Sequence, residues 1–166
     1  MVHAWLASDS TPTAVIMDLP RAWDPAAQAF LAAFTGRLAF FEGSVTEEAA
    51  WAGLSEQHGS AFTHVISGAA VTPTRADEEA GAARILDVNL FGAIRALEFA
   101  RSLPDLHRFV FVSSDAVYAP PGLVRPPLEG EEPQSSMALY SLSKFAGEKA
   151  VGRWAELFGL DATCVR

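Results

Sequence analysis

The chain has 166 residues, half of them hydrophobic, with a formal net charge of −8 and a pI near 4.9. That length allows one globular domain with a sizeable core, and the composition is too apolar for a disordered chain. The acidic balance excludes the clustered Lys/Arg of a nucleic-acid-binding face. No apolar run approaches the roughly 18 residues of a membrane span.

Strand-like and helical patterns alternate along the chain. Residues 1–6 lack the basic segment and apolar stretch of a secretion signal. Short apolar runs with β-branched or aromatic residues predict strands at 13–17, 37–41, 62–67, 108–112 and 161–165. Helical stretches are expected at 24–34, 46–57, 76–102 and 136–158. This alternation predicts parallel strands joined by right-handed crossovers. In the third helix, Leu86, Leu90, Ala93, Leu97 and Ala100 form one apolar stripe, and Ile85, Val88, Phe91, Ile94 and Phe99 add apolar surface elsewhere. Such a helix is buried on more than one side, either within this chain or against a partner. Five prolines between 119 and 133 exclude a continuous helix there and predict a loop. The one cysteine, Cys164, can form no internal disulfide. It suits a reducing cytoplasm, and its apolar surroundings suit an inert thiol. No metal site is expected.

Two features carry chemistry. Tyr140 and Lys144 are four residues apart at the start of the last helix, so they share a face. An ammonium beside a phenol favours the phenolate, and such a pair can exchange a proton near neutral pH. The spacing alone is also that of two solvated side chains. However, the chain has only two tyrosines and two lysines, and one of each falls here. The second feature is an apolar strand ending in Ser113 and Ser114. In open parallel sheets, ligands bind at the carboxyl ends of strands. A serine there either bonds a substrate oxygen or turns the chain out of the strand.

In order along the chain, several segments resemble the extended short-chain dehydrogenase/reductase superfamily, specifically the NAD-dependent epimerase/dehydratase family. His64 to Ala70 is similar to its fourth strand and the small residues beside the cofactor. Asp87-Val88-Asn89-Leu90-Phe91-Gly92 is similar to its Asn-Val-x-Gly segment. Phe111 to Tyr118 resembles the fifth strand with its serine, and Glu132-Pro133, Tyr140 to Lys144 and Gly147-Glu148 follow. The 26-residue step from Ser114 to Tyr140 fits as well. The resemblance covers nearly the whole chain and implies a Rossmann-like, doubly wound parallel α/β sheet in a single, partial NAD(P)-binding domain.

It also implies roles. Tyr140 is the acid/base at a substrate hydroxyl or carbonyl, and Lys144 assists it and bonds the nicotinamide ribose. Ser114 positions the reacting oxygen, with Ser113 beside it. Gly68, Ala69 and Ala70 line the cofactor, and Asn89 supports it from its helix. Asp18 binds the adenosine ribose and favours NAD, unless it is only a turn residue, while the nearby Arg21 keeps NADP open. Ser44 stands where the family carries an Asp toward the adenine, leaving that contact to the Val45 backbone. The substrate is expected to be a nucleotide sugar or a similar sugar. The partner is expected to be a second copy, packed through helices 76–102 and 136–158.

The pattern is broken in two places. No Gly-x-x-Gly-x-x-Gly turn occurs in the sequence, although the family uses one to hold the cofactor's diphosphate. Residues 1–8 resemble instead the later turns of the helix after it. The segment that builds the family's substrate subdomain is also lacking. A strand is therefore expected to be missing between strands 13–17 and 62–67, with weak NAD binding as the consequence. Either the protein is longer than this sequence, or it is a remnant. A non-catalytic dinucleotide-fold module, acting through protein contacts or sensing redox state, is the alternative to an enzyme.

Overall fold

The computed structural model describes residues 6, 13–19, 25, 29, 32–34, 36–59, 61–118, 128 and 138–166. Among the described residues five strands run in chain order: β1 Ala14–Asp18, β2 Leu38–Glu42, β3 His64–Ser67, β4 Arg108–Val112 and β5 Ala162–Val165. Helices described between them include α1 Glu48–His58, α2 Arg75–Leu86, α3 Gly92–Arg101 and α4 Leu139–Phe158. All described strand pairing is parallel. β1 pairs with β2, Ala14 opposite Leu38. β3, β4 and β5 form a second ladder, with Ile66 opposite Val110 and Val110 opposite Thr163.

The core lies on the three-stranded ladder. Helices cover one face of β4, so its phenylalanines vanish from the surface: Phe109 is 0% and Phe111 1% exposed. They meet Ala93, Leu97 and Ala100 of α3 and Val151 of α4. Helix α4 lies flat on Phe111 because Gly147 has no side chain; a Cβ there would stand 2.5 Å from the ring. A second apolar cluster, Leu54, Phe99 and Leu103, reaches toward Val15, Met17 and Phe41 of the two-stranded ladder.

No strand pairs β1 with β3 among the described residues. A cavity of about 980 Å³ lies between them, lined by residues 13–19 on one side and 61–71 on the other, over Trp51, Leu54 and Phe99. This is the gap expected from the sequence. Parallel strands with unpaired edges are unusual inside a covered sheet, because edge N–H and C=O groups want partners.

The strand at 108–112 is observed as expected, and the other elements shift by one to three residues at their ends. The expected single helix over 76–102 is a correction. It is broken by non-helical backbone at Gly81 (φ −151°, ψ 39°) and widened into a π-helical turn at Asp87–Phe91. Helix α2 begins on a capping box, with Thr74 accepting from the Asp77 N–H and Asp77 answering to Thr74. Most of the expected helix at 24–34 and of the proline-rich loop, with Arg21 and Glu132-Pro133, lies outside the described residues; in residues 1–8 only Leu6 is described.

Candidate active site

Helix α4 sets the first pair. Tyr140 sits in its opening turn and Lys144 one turn on, buried to 2% exposure. The Lys144 Nζ donates to the Val112 carbonyl at 2.7 Å. It lies 5.1 Å from the Phe111 ring centroid and 5.9 Å from that of Tyr140. No carboxylate bonds it among the described residues. Burial therefore lowers its pKa, since an ammonium out of water is disfavoured. The Tyr–Lys pair is thus assembled against the carboxyl end of β4, and its lysine is not a solvated side chain.

Ser114 leaves that same strand end. It caps a short turn at Asp115–Val117: its Oγ accepts from the Ala116 N–H at 3.2 Å and donates to Asp115 at 3.1 Å. Its neighbour Ser113 is engaged with helix α4 instead. Ser113 is buried, and its hydroxyl donates to Glu148 Oε1 at 2.5 Å. Glu148 also takes two bonds from Arg166, at 2.8 and 2.6 Å. Burial alone would raise the Glu148 carboxyl, but Arg166 and Ser113 outweigh it and hold it below its ordinary value. The Glu148 carboxylate in turn raises the Arg166 guanidinium, helped by Tyr118. Helix α4 is thus tied to the end of β4 at two successive turns, by Lys144 and by Glu148.

Asn89 is 1% exposed, and its amide bonds within the protein. Oδ1 accepts from the Val71 N–H at 2.7 Å, while Nδ2 donates to the Val71 carbonyl at 2.9 Å and to Ser143 Oγ at 3.1 Å. Ser143 passes the link on to the Tyr140 carbonyl at 2.7 Å. Asn89 thus fastens the turn after β3 to the first turn of α4, and the π-helical turn carries it. Such insertions frequently mark functional sites.

The remaining residues line the cavity between the two ladders. Asp18 ends β1, and its Oδ1 accepts from the Leu19 N–H at 2.8 Å. Ser44 shares a hydroxyl bond of 2.7 Å with Thr46, and the Val45 carbonyl takes the Trp51 indole N–H at 3.0 Å. Gly68, Ala69 and Ala70 follow β3, exposed along the same cavity. Gly92 lets the turn after β2 approach, since a Cβ there would stand 2.8 Å from Val45. The carboxyl ends of β1, β2 and β3 thus face one cavity, where an open parallel sheet places its ligand.

The sequence matches the NAD dependent epimerase/dehydratase family over residues 2–166. The chain belongs to this family. A curated relative from Methanocaldococcus jannaschii, provisionally named a UDP-glucose 4-epimerase, is 33% identical over 81 residues, covering 48% of this chain and 26% of that protein. The UDP-glucose 4-epimerase of Thermus thermophilus, solved with NAD, matches at TM-score 0.75 and 20% identity, covering 92% of this chain and 46% of its own. The UDP-glucuronic acid 4-epimerase of Bacillus cereus, solved with UDP-glucuronic acid and NAD, matches at TM-score 0.76 and 18% identity, with 99% and 51% covered. The chain spans about half the length of these solved structures. The fold is the Rossmann fold of the extended short-chain dehydrogenases/reductases, in part.

Glu148 and Arg166 are the functional support that the sequence reading missed. Glu148 stood in a matched motif without a role. Its spacing of four from Lys144 put it on the same helix face, and that was the available signal. Burial, and then the Glu148 charge, push the Cys164 thiol up to about 11, a direction that disfavours the thiolate.

Proposed function

We propose that this chain is the catalytic portion of an NAD-dependent epimerase, dehydratase or dehydrogenase acting on a nucleotide sugar or similar sugar. The observation that carries the proposal is the buried Lys144 beside Tyr140 at the carboxyl end of β4, the strand that leads into Ser114. Asp18 stands at the end of β1, and the turns 43–45 and 68–71 open onto the same end of the gap, where an open parallel sheet takes a dinucleotide. NAD, when bound, supplies the acceptor for a hydride.

Tyr140 takes the proton from the sugar hydroxyl as its carbon loses that hydride, and returns it in the reverse direction. Ser114 holds the reacting oxygen. Lys144, already donating once to Val112, has two further N–H groups for the phenol and the nicotinamide ribose. Asp18 accepts from the adenosine ribose, which favours NAD, with NADP as the second cofactor. Turns 43–45 and 68–70 line the adenine and nicotinamide sides.

A non-catalytic dinucleotide-fold module is the second reading. A homodimer through α2–α3 and α4 is the proposed assembly, because Phe91, Leu142 and Phe158 remain exposed on these segments. The lone cysteine suits the cytoplasm.

Titration with NAD, followed by product analysis of UDP-hexoses at saturating NAD together with NADH absorbance, tests the reading. Binding in the millimolar range or tighter is expected, with slow appearance of an epimerised or dehydrated sugar nucleotide without net NADH, or of an oxidised one with NADH. Binding without turnover of any sugar nucleotide favours the module, and no binding overturns the proposal.

A further inference from the structure

Helix α4 carries Tyr140 in a first turn that does not cap itself. Its cap residue is Ala138, which has no side-chain acceptor, and no acidic residue stands in the turn. The opening N–H groups of a helix have no partner within it and form its positive end. One of them is met from another helix: the Leu139 N–H donates to Glu78 Oε1 at 2.6 Å, across 61 positions of sequence. Glu78 is half-buried, and its carboxylate does what a serine or aspartate at the cap position ordinarily does.

Local structure sets Glu78 in place. It lies in the first turn of α2, where its N–H donates to the Thr74 carbonyl at 3.1 Å and the Thr74–Asp77 capping box fixes the turn. The backbone then leaves helical geometry at Gly81, so this opening turn is aimed separately from residues 82–86. Glu79, next in sequence, is exposed and pairs with Arg75 instead. The first turn of α4 has a second hold: Ser143 Oγ donates to the Tyr140 carbonyl, and Asn89 donates to Ser143. The backbone of Tyr140 is therefore bracketed. Glu78 holds the N–H one residue before it, and Asn89 holds its own carbonyl through Ser143, while its ring centroid stands 5.9 Å from the Lys144 ammonium.

We propose that Glu78 is a positioning residue for Tyr140: its carboxylate caps α4 from a neighbouring helix and fixes where the phenol stands. The inference rests on the acid/base role given to Tyr140 above. Glu78 acts through the helix and not at the reacting atoms.

The test compares wild type with Glu78→Ala, Glu78→Gln and Glu79→Ala in two readouts. One is steady-state turnover of UDP-hexoses with NAD; the other is NMR of protein carrying isotope-labelled tyrosine. The chain has two tyrosines, so the Tyr140 ring signal is assigned by its loss in Tyr140→Phe. Glu78→Ala is expected to lower kcat roughly tenfold with the KM for NAD unchanged, because a displaced acid/base group costs rate and not cofactor binding. It should also shift the Tyr140 ring signal and leave that of Tyr118 in place. Glu78→Gln keeps an acceptor oxygen, Glu79→Ala removes only an exposed pair, and both are expected to match wild type. An unmoved Tyr140 signal in Glu78→Ala overturns the inference, as does an unchanged kcat in an active enzyme. Equal movement of both ring signals, with a raised KM, means general loss of packing and contradicts it as well. So does a loss in Glu78→Gln equal to that in Glu78→Ala, since charge rather than the bond would then be at work. If wild type turns over no sugar nucleotide, the enzyme reading fails alone, and the ring signals still decide whether Glu78 places Tyr140.

Discussion

The two ladders are built to different standards. In the three-stranded one, β4 runs between two partners and under two helices, its phenylalanines are fully buried, and the side chains at its end are tied to α4 by Lys144 and Glu148. In the two-stranded one, no residue of β1 or β2 is fully buried, and Phe40 is 45% exposed. The proposed acid/base residues sit on the first ladder. Asp18 and the adenine-side turn sit on the second. A catalytic centre needs atoms held to fractions of an ångström, while a ribose contact tolerates more, so the rigid half is the half that needs rigidity.

Mutations should reproduce that asymmetry. Glu148→Ala removes the carboxylate shared by Ser113 and Arg166, and is expected to cost about 2–3 kcal/mol in denaturant unfolding. Ala39→Ser on exposed β2 is expected to stay within about 0.5 kcal/mol. Equal costs would erase the contrast. Because the folded Glu148 carboxyl is held below its ordinary 4.5, its contribution is full above that value and fades as pH falls through the lowered one. Glu148→Gln should flatten this acid limb of the stability curve.

Lys144→Met should move stability the other way. A buried ammonium with one hydrogen bond is costly, and an apolar side chain of similar size is expected to stabilise by on the order of 1 kcal/mol, about 2–4 °C in Tm. Catalysis should be lost at the same time. In the wild type the folded Lys144 pKa lies below the ordinary 10.5, so stability rises as pH climbs from the folded value toward that one. The variant should lack this rise. A lower Tm for Lys144→Met would show that the Val112 bond outweighs desolvation. The smallest effect is at Cys164: with its thiol near 11, alkylation at pH 8 should run roughly a hundredfold slower than for a free cysteine, without change in Tm.

Much of this was legible in the residues. Strand–helix alternation, the Tyr140/Lys144 spacing and the serines after β4 each follow from periodicity or from ordered motifs, and the gap between β1 and β3 followed from the missing glycine turn. The reach of two side chains was not legible: Ser113 and Asn89 bond Glu148 and Val71 inside the protein. Direction of a side chain at a strand end depends on the partner packed behind it, here α4 and Arg166, and no local pattern reports that partner. The π-helical turn is invisible for a similar reason: it is stabilised by the Asn89 bonds to a distant turn, not by helix propensity.

The division of labour between the two ladders is tested most directly by steady-state kinetics of Tyr140→Phe and Asp18→Ala beside the wild type, with NAD as the varied substrate. Tyr140→Phe is predicted to lower kcat about 100-fold with the KM for NAD unchanged. Asp18→Ala is predicted to raise that KM about tenfold with kcat unchanged. Unchanged kcat in Tyr140→Phe, or a loss of kcat in Asp18→Ala as large as that in Tyr140→Phe, would contradict the account.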